Sequence, residues 1–185
     1  TILDEDAFDV IFNDEDAKKV NLTKDVDNVL LSAVNFYGPD VTTADVEDFY
    51  SNKKSPDTLK PLSYGLNSQL VKENGVLKER VYKSGGLYGE AIDEIVKWLE
   101  LAKGVGENKA QGDALGLLIE YYKTGSLQTW DDYNVAWTAA TEGNIDYINS
   151  FIEVYNDPVG YRGSYESIVQ IKDFDMSAKM AVLSE

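Results

Sequence analysis

With 185 residues, 43% of them apolar and 11% aromatic, the chain has enough hydrophobic material for one ordinary domain or two very small ones, and it is not a disordered tail. Seventeen basic residues against thirty-three acidic ones give a net charge of −16, which argues against nucleic acid or an anionic membrane surface as a partner. Zero histidines and zero cysteines exclude disulfides, thiolate chemistry, a Ser-His-Asp triad and histidine-ligated zinc within the chain.

The acid is concentrated at the start, where residues 1–50 carry thirteen carboxylates and three lysines. Such a segment reads as a solvated acidic face or as a surface that attracts cationic groups. The opening TILDEDAFDV has neither the basic region nor the apolar stretch of a signal peptide. No apolar run approaches the roughly 18 to 20 residues that span a bilayer. The chain begins at Thr1, and we expect it to be a piece of a longer polypeptide. Its compartment stays open, with the cytoplasm as the favoured expectation.

In chain order, VDNVLLSAVNFYG places Val26, Val29, Leu30, Ala33, Val34 and Tyr37 at helical spacing, so a helix is predicted up to Gly38-Pro39. Thr42 or Thr43 can cap the next helix, TADVEDFY, with Glu47 near enough for a capping box and Val46, Phe49 and Tyr50 inward. Asn74-Gly75 predicts a tight hairpin between strands at about 66–73 and 76–83. A long helix follows, with Ile92, Ile95, Val96, Leu99 and Ala102 on one face and Gly104 at its end. A second is predicted over about 109–123, with Leu115, Leu118, Ile119 and Tyr122 inward, and Gly125 ends it. A third follows Ser126 around Trp130, Tyr133 and Trp137. Ile145, Ile148 and Ile152 predict a fourth helix from about Asn144, IVQIKD near 168–173 reads as a short strand, and SAKMAVLSE starts a last helix.

Three motifs have competing readings. SGGLYGE could present backbone N–H groups to an anion, but it lacks the G-K-[ST] of a phosphate loop and reads better as a tight turn. NDEDAKK and WDDYN are acidic enough to suggest calcium, without the alternating ligands and central glycine of an EF-hand loop. Trp130, Trp137, Tyr121, Tyr122 and Tyr133 stand at helical spacings, which favours core over a ligand cage.

The stretch FIEVYNDPVGYRGSYES, residues 151–167, is the one with a possible site. Asp157-Pro158 and Gly160 make a turn, and Arg162-Gly163 extends it. If a helix runs through to Tyr155, Glu153 points away from the buried face that carries Tyr155. If the chain is extended from Phe151, period-two alternation sets Phe151, Glu153 and Tyr155 on one side. From spacing alone, structural polar residues at a turn and a site both remain open.

This segment resembles one that the dipeptidyl peptidase III family carries upstream of its zinc motif. The elements F-I-E-x-Y, D-P-x-G and G-x-x-E stand here in order. LNSQLVK resembles the family's N-[ST]-x-L-x-K block and is also followed by a hairpin, while Trp137 and MSAK at 176–179 keep the family spacing. The resemblance runs from about residue 20 and is strongest over 61–180.

It implies a two-lobed zinc peptidase that releases dipeptides from the N-terminus of short peptides. In that family zinc is held by two histidines of H-E-x-x-G-H and a later glutamate, none of which is in this chain. The implied fold is α+β and predominantly helical, with a small antiparallel hairpin at about 66–83 and a short strand near 168–173. Residues 1–167 would be lower lobe, 168–173 the interlobe connection and 174–185 the start of an upper-lobe helix.

The resemblance gives Tyr155 a catalytic role, hydrogen-bonding the scissile carbonyl as it becomes tetrahedral. It makes Glu153 and Glu166 substrate-binding residues: Glu153 for the free α-amino group, Glu166 in support. Zinc would polarise the carbonyl and activate water, with ligands and general base outside this chain. The implied partners are short peptides and the zinc-bearing remainder of the same polypeptide. Ala139-Ala140 and Asn144 depart from the polar and basic residues expected there. The isolated chain is expected to be inactive, and the alternative is a non-catalytic peptide-binding or scaffolding helical module.

Overall fold

The computed structural model describes residues 5–12, 19–53 and 55–184. They divide into two compact units: residues up to Tyr82 with Phe151–Ser164, and Lys83–Ser150 with Tyr165 onward. The acidic NDEDAKK segment lies, except for Lys19, outside the described residues.

The first unit opens with α1 (Glu5–Phe12), where Phe8 and Phe12 rings meet at 5.4 Å. The helix predicted up to Gly38 is in fact the single turn α2 (Asn28–Leu31). Two polar side chains account for this. Asp27 caps it, accepting from Leu30 N and from both the N–H and hydroxyl of Thr43. Ser32 ends it in an extended conformation, its hydroxyl donating to Asn28 O and accepting from Asn21 N. Beyond it, Phe36 O and Gly38 N bond to Leu70 N (3.0 Å) and Leu70 O (2.8 Å), so Tyr37 forms an isolated parallel bridge with Leu70 rather than continuing a helix.

Helix α3 (Thr43–Ser51) is capped by Thr42 through a capping box that uses Asp45, not Glu47. Thr42 Oγ1 accepts from Asp45 N, and Asp45 Oδ2 accepts from Thr42 N at 2.8 Å. Asp45 also pairs with Lys72 at 2.7 Å. The Lys72 and Thr42 hydrogen bonds hold its carboxyl down to about 2. Strands β1 (Ser68–Glu73) and β2 (Val76–Val81) pair antiparallel from Ser68↔Val81 to Glu73↔Val76. Asn74 and Gly75 take φ of 52° and 78°, the paired positive values that the Asn-Gly signal predicts. Val29, Phe36, Tyr37, Val41, Val46, Tyr50 and Leu70 form the core, with Phe49 packed against it.

The second unit is built on α4 (Gly89–Gly104), α5 (Lys109–Thr124) and α6 (Leu127–Ala139). Asn108 caps α5 and Ser126 caps α6, each accepting from the N–H three residues on. Gly125 closes α5 in the left-handed region at φ 73°, its N–H on Tyr121 O at 2.7 Å. Ile92, Val96 and Leu99 face inward from α4, Leu118, Ile119, Tyr121 and Tyr122 from α5, and Trp130 and Tyr133 from α6. Rings pack in series, Tyr121 on Trp130 at 5.0 Å and Trp130 on Tyr133 at 5.3 Å, which makes these aromatics core.

No helix follows α6 at Asn144. Residues Ile145–Glu153 form strand β3, which pairs antiparallel with β4 (Ser164–Ile171). The isoleucines at helical spacing belong to a segment rich in β-branched and aromatic residues, and in so short a run that period is ambiguous. The pairing decides it, down to Lys172 N on Asn144 O at 2.7 Å. The strand expected near 168–173 thus begins four residues earlier and ends at Ile171. Helix α7 (Phe174–Leu183) is capped by Asp173, which accepts from Met176 N at 2.9 Å. The architecture is α+β and helix-rich, with two small antiparallel two-stranded sheets.

Candidate functional site

The turn from Val154 to Gly163 joins β3 to β4, and its shape comes from two buried charged residues that spacing alone presented as loop. Asp157 is 5% exposed. Its Oδ2 accepts from Tyr37 Oη, Tyr161 N and Arg162 N, each at 2.8 Å, and its Oδ1 accepts from Val159 N at 3.1 Å. One carboxylate therefore satisfies three backbone N–H groups of its own turn, the Asx pattern carried around a full loop. Asp157 N donates to Val154 O at 3.0 Å, which closes the turn on its entry side. Burial, and then the Asp157 charge, push the Tyr37 phenol far above its ordinary value, so it remains a donor.

Arg162 is fully buried. Its guanidinium donates to Gly65 O (2.9 Å), Ser68 O (3.0 Å) and Ser68 Oγ (2.6 Å), and to the Tyr50 hydroxyl. Glu79 Oε1 lies 3.7 Å away and itself accepts from Tyr50 and Ser68, while Lys53 pairs with the other oxygen of Glu79. The rings of Tyr50 and Tyr37 flank the cation at 4.9 and 5.3 Å. Burial raises the Glu79 carboxyl, and the hydrogen bonds from Lys53 and Tyr50 more than reverse it, leaving it below the ordinary value. Two glycines make room. Gly65 has φ +92° beside the guanidinium, and a Cβ at Gly163 would stand 2.8 Å from Phe151 C.

Around this braced turn the residues singled out in sequence take distinct places. Glu153 is the last residue of β3 and exposed. Tyr155, two residues on, lies in the turn and is 68% exposed. The extended alternative therefore holds through Glu153, but the chain turns at Tyr155, so strand alternation does not reach it. Phe151 does not share their exposure. It is buried, its ring 4.8 Å from that of Tyr82. Glu166 sits on β4, half-buried, in the second unit. Among the described residues no hydrogen bond or ion pair engages the side chains of Glu153, Tyr155 or Glu166.

Spacing missed the brace itself: Asp157, Arg162, Ser68, Tyr50 and Glu79. One signal was available. The chain has just two arginines, and Arg162 stands between a tyrosine and a glycine in a turn, an odd place for a residue that is usually solvated.

The sequence profile of peptidase family M49 matches residues 63–185, well over half of the chain. The chain belongs to peptidase family M49. Dipeptidyl peptidase 3 of Homo sapiens is 33% identical over 94 residues, 51% of this chain and 13% of that protein. The Nematostella vectensis dipeptidyl peptidase 3 is 31% identical over 116 residues, 63% of this chain and 16% of its own length. The chain thus spans a small fraction of the M49 relatives it matches. The solved structure of DPP III from Caldithrix abyssi superposes with a TM-score of 0.62 at 21% identity, over 81% of this chain and 27% of that one, which supports the fold.

Two stretches within the matched span, LNSQLVK and residues 151–167, are joined by Arg162 on Ser68. The chain has neither histidine nor cysteine, and among the described residues no group of three acidic side chains is placed to ligate an ion.

In the second unit, Ala140 and Asn144, two positions singled out in the sequence, line a cavity of about 410 Å³ with Trp137. Asn144 is held by Glu107, whose carboxylate accepts from Asn144 N (2.8 Å), Ile145 N (2.9 Å) and Asn144 Nδ2 (3.1 Å). Those bonds, the Asn144 N–H first, keep the Glu107 carboxyl below its ordinary value.

Proposed function

We propose that this chain is part of a zinc-dependent dipeptidyl peptidase that releases N-terminal dipeptides from short peptides, and that it supplies the pocket for the substrate's N-terminus. Residues 1–167 are the lower lobe in this reading, 168–173 the connection and 174–185 the entry to the other lobe. Glu153 pairs with the substrate ammonium, Glu166 supports that pocket, and the Tyr155 phenol donates to the carbonyl oxygen as charge develops on it. The zinc ligands lie in the remainder of the polypeptide, so the chain by itself is inactive.

One observation carries the reading. A carboxylate at the end of β3 and a phenol in the adjoining turn stand exposed, with no side-chain partner among the described residues, and the backbone of that turn is braced by two buried charges. A surface turn with no ligand to place would not need buried Asp157 and Arg162, because packed apolar residues of similar volume fold as well or better. What such hydrogen bonds add is a fixed direction, which an ammonium pocket at a set distance from the scissile bond requires.

The decisive experiment is Tyr155→Phe in the full-length polypeptide that carries this chain, assayed with a tetrapeptide bearing a free amine. Loss of the donor should lower kcat by roughly 10²-fold. An unchanged kcat removes Tyr155 from the mechanism. Glu153→Gln should act mainly on KM, and the isolated chain should release no dipeptide. Release that a chelator abolishes would overturn the claim of inactivity.

A further inference from the structure

We propose that Arg162 is a positioning residue for Glu153 and Tyr155, acting through the Asp157 turn; the inference rests on the roles given to those two residues above. Arg162 engages both sides of the turn. Its backbone N–H donates to Asp157 Oδ2 at 2.8 Å. Its side chain is fixed to Gly65 and Ser68, at the entry to β1, and to Tyr50 of α3. Asp157 in turn donates its own N–H to Val154 O at 3.0 Å. Val154 stands between Glu153 and Tyr155, so the path from the buried cation to the exposed pair is a short run of hydrogen bonds.

The chemistry suits aiming more than stabilising. A guanidinium offers donors in a rigid plane, and here they meet two carbonyls and two hydroxyls around one spot. An ammonium on a flexible stem cannot reproduce that fan of bonds. The brace also leaves no slack on the far side. Gly163 N donates to Leu66 O at 2.8 Å, and a Cβ on Gly163 would run into Phe151 C. With both exits of the turn pinned, a shift at Arg162 moves Val154 and its neighbours.

The test is a double-mutant cycle in the full-length polypeptide, with kcat, KM and thermal midpoint measured on a free-amine tetrapeptide. Arg162→Lys keeps the charge and loses the fork. Tyr37→Phe keeps the ring and removes one bond to Asp157, and it carries the test if the lysine variant fails to fold. Each should lower kcat by about tenfold or more, since misplacement near an ångström costs up to about 10²-fold. Each loss should largely vanish in a Tyr155→Phe background, because Arg162 and Tyr37 act through that residue. Variants with a lower thermal midpoint but unchanged kcat, or losses that multiply with that of Tyr155→Phe, would overturn the proposal. If Tyr155→Phe alone leaves kcat unchanged, the role of Tyr155 falls first and that of Arg162 with it.

Discussion

The turn at 154–163 and the helices α4–α6 bury side chains equally well by opposite chemistry. In the helices, Leu118, Ile92 and the ring series Tyr121–Trp130–Tyr133 exclude water by packing, and polar groups work mainly at the caps. In the turn, Asn156, Asp157 and Arg162 are buried and hydrogen-bonded. Apolar packing tolerates exchanges of shape while volume is kept. A hydrogen-bonded network with charged members accepts one backbone path and penalises others by leaving groups unpaired. The difference separates a region held by apolar packing from one held by hydrogen bonds that fix a direction.

The contrast can be tested by substitutions of decreasing effect. Arg162→Met should be the most damaging, at about 3–5 kcal/mol in urea unfolding, because Glu79, Ser68 and the Gly65 carbonyl lose their buried partner. Leu118→Ala in α5 should cost about 2–5 kcal/mol, while Leu118→Met should cost less than about 1.5. If Arg162→Met were as mild as Leu118→Met, the contrast between the two regions would collapse. Gly163→Ala forces a Cβ against the Phe151 backbone and should cost about 1–3 kcal/mol.

The smallest effect is acid. The Asp45 carboxyl is held at about 2 against an ordinary 3.8, by Lys72 first and then Thr42. A folded pKa below the unfolded one contributes stability that is complete above about pH 4 and is lost as pH falls from there towards 2. The urea midpoint should therefore drop more over that interval in the unaltered chain than in Asp45→Asn. Equal slopes would show that the Lys72 pairing contributes nothing to acid stability.

Periodicity read the apolar region well and the polar one poorly. The α4–α6 faces and the Asn-Gly hairpin follow from local signals, since each element declares its buried side by spacing and its ends by caps and glycines. The segment 145–153 misled because three isoleucines at helical intervals also suit a strand, and the choice lies with β4, out of reach of local pattern. The helix expected over 26–37 failed for the same reason, with Leu70 supplying the competing bonds. At the site, Glu153, Tyr155 and Glu166 entered through the family resemblance rather than spacing. The residues that brace the turn stayed hidden because their partners, Tyr37, Tyr50, Gly65, Ser68 and Glu79, lie far upstream.

That distance has a consequence for the order of events during folding. The bonds that finish the turn link Arg162 and Asp157 to residues 94 to 120 positions earlier. The loop can close locally, but it cannot take its final shape until those segments arrive, and such non-local closures are slow. During synthesis, residues up to Tyr82 must wait for the whole of 83–150 before Phe151–Ser164 emerges to complete their unit. The unit that carries Glu153 and Tyr155 thus receives its last part only once Ser164 has been made, and its turn at 154–163 should gain protection from solvent exchange later than the β1–β2 hairpin of the same unit as the nascent chain matures.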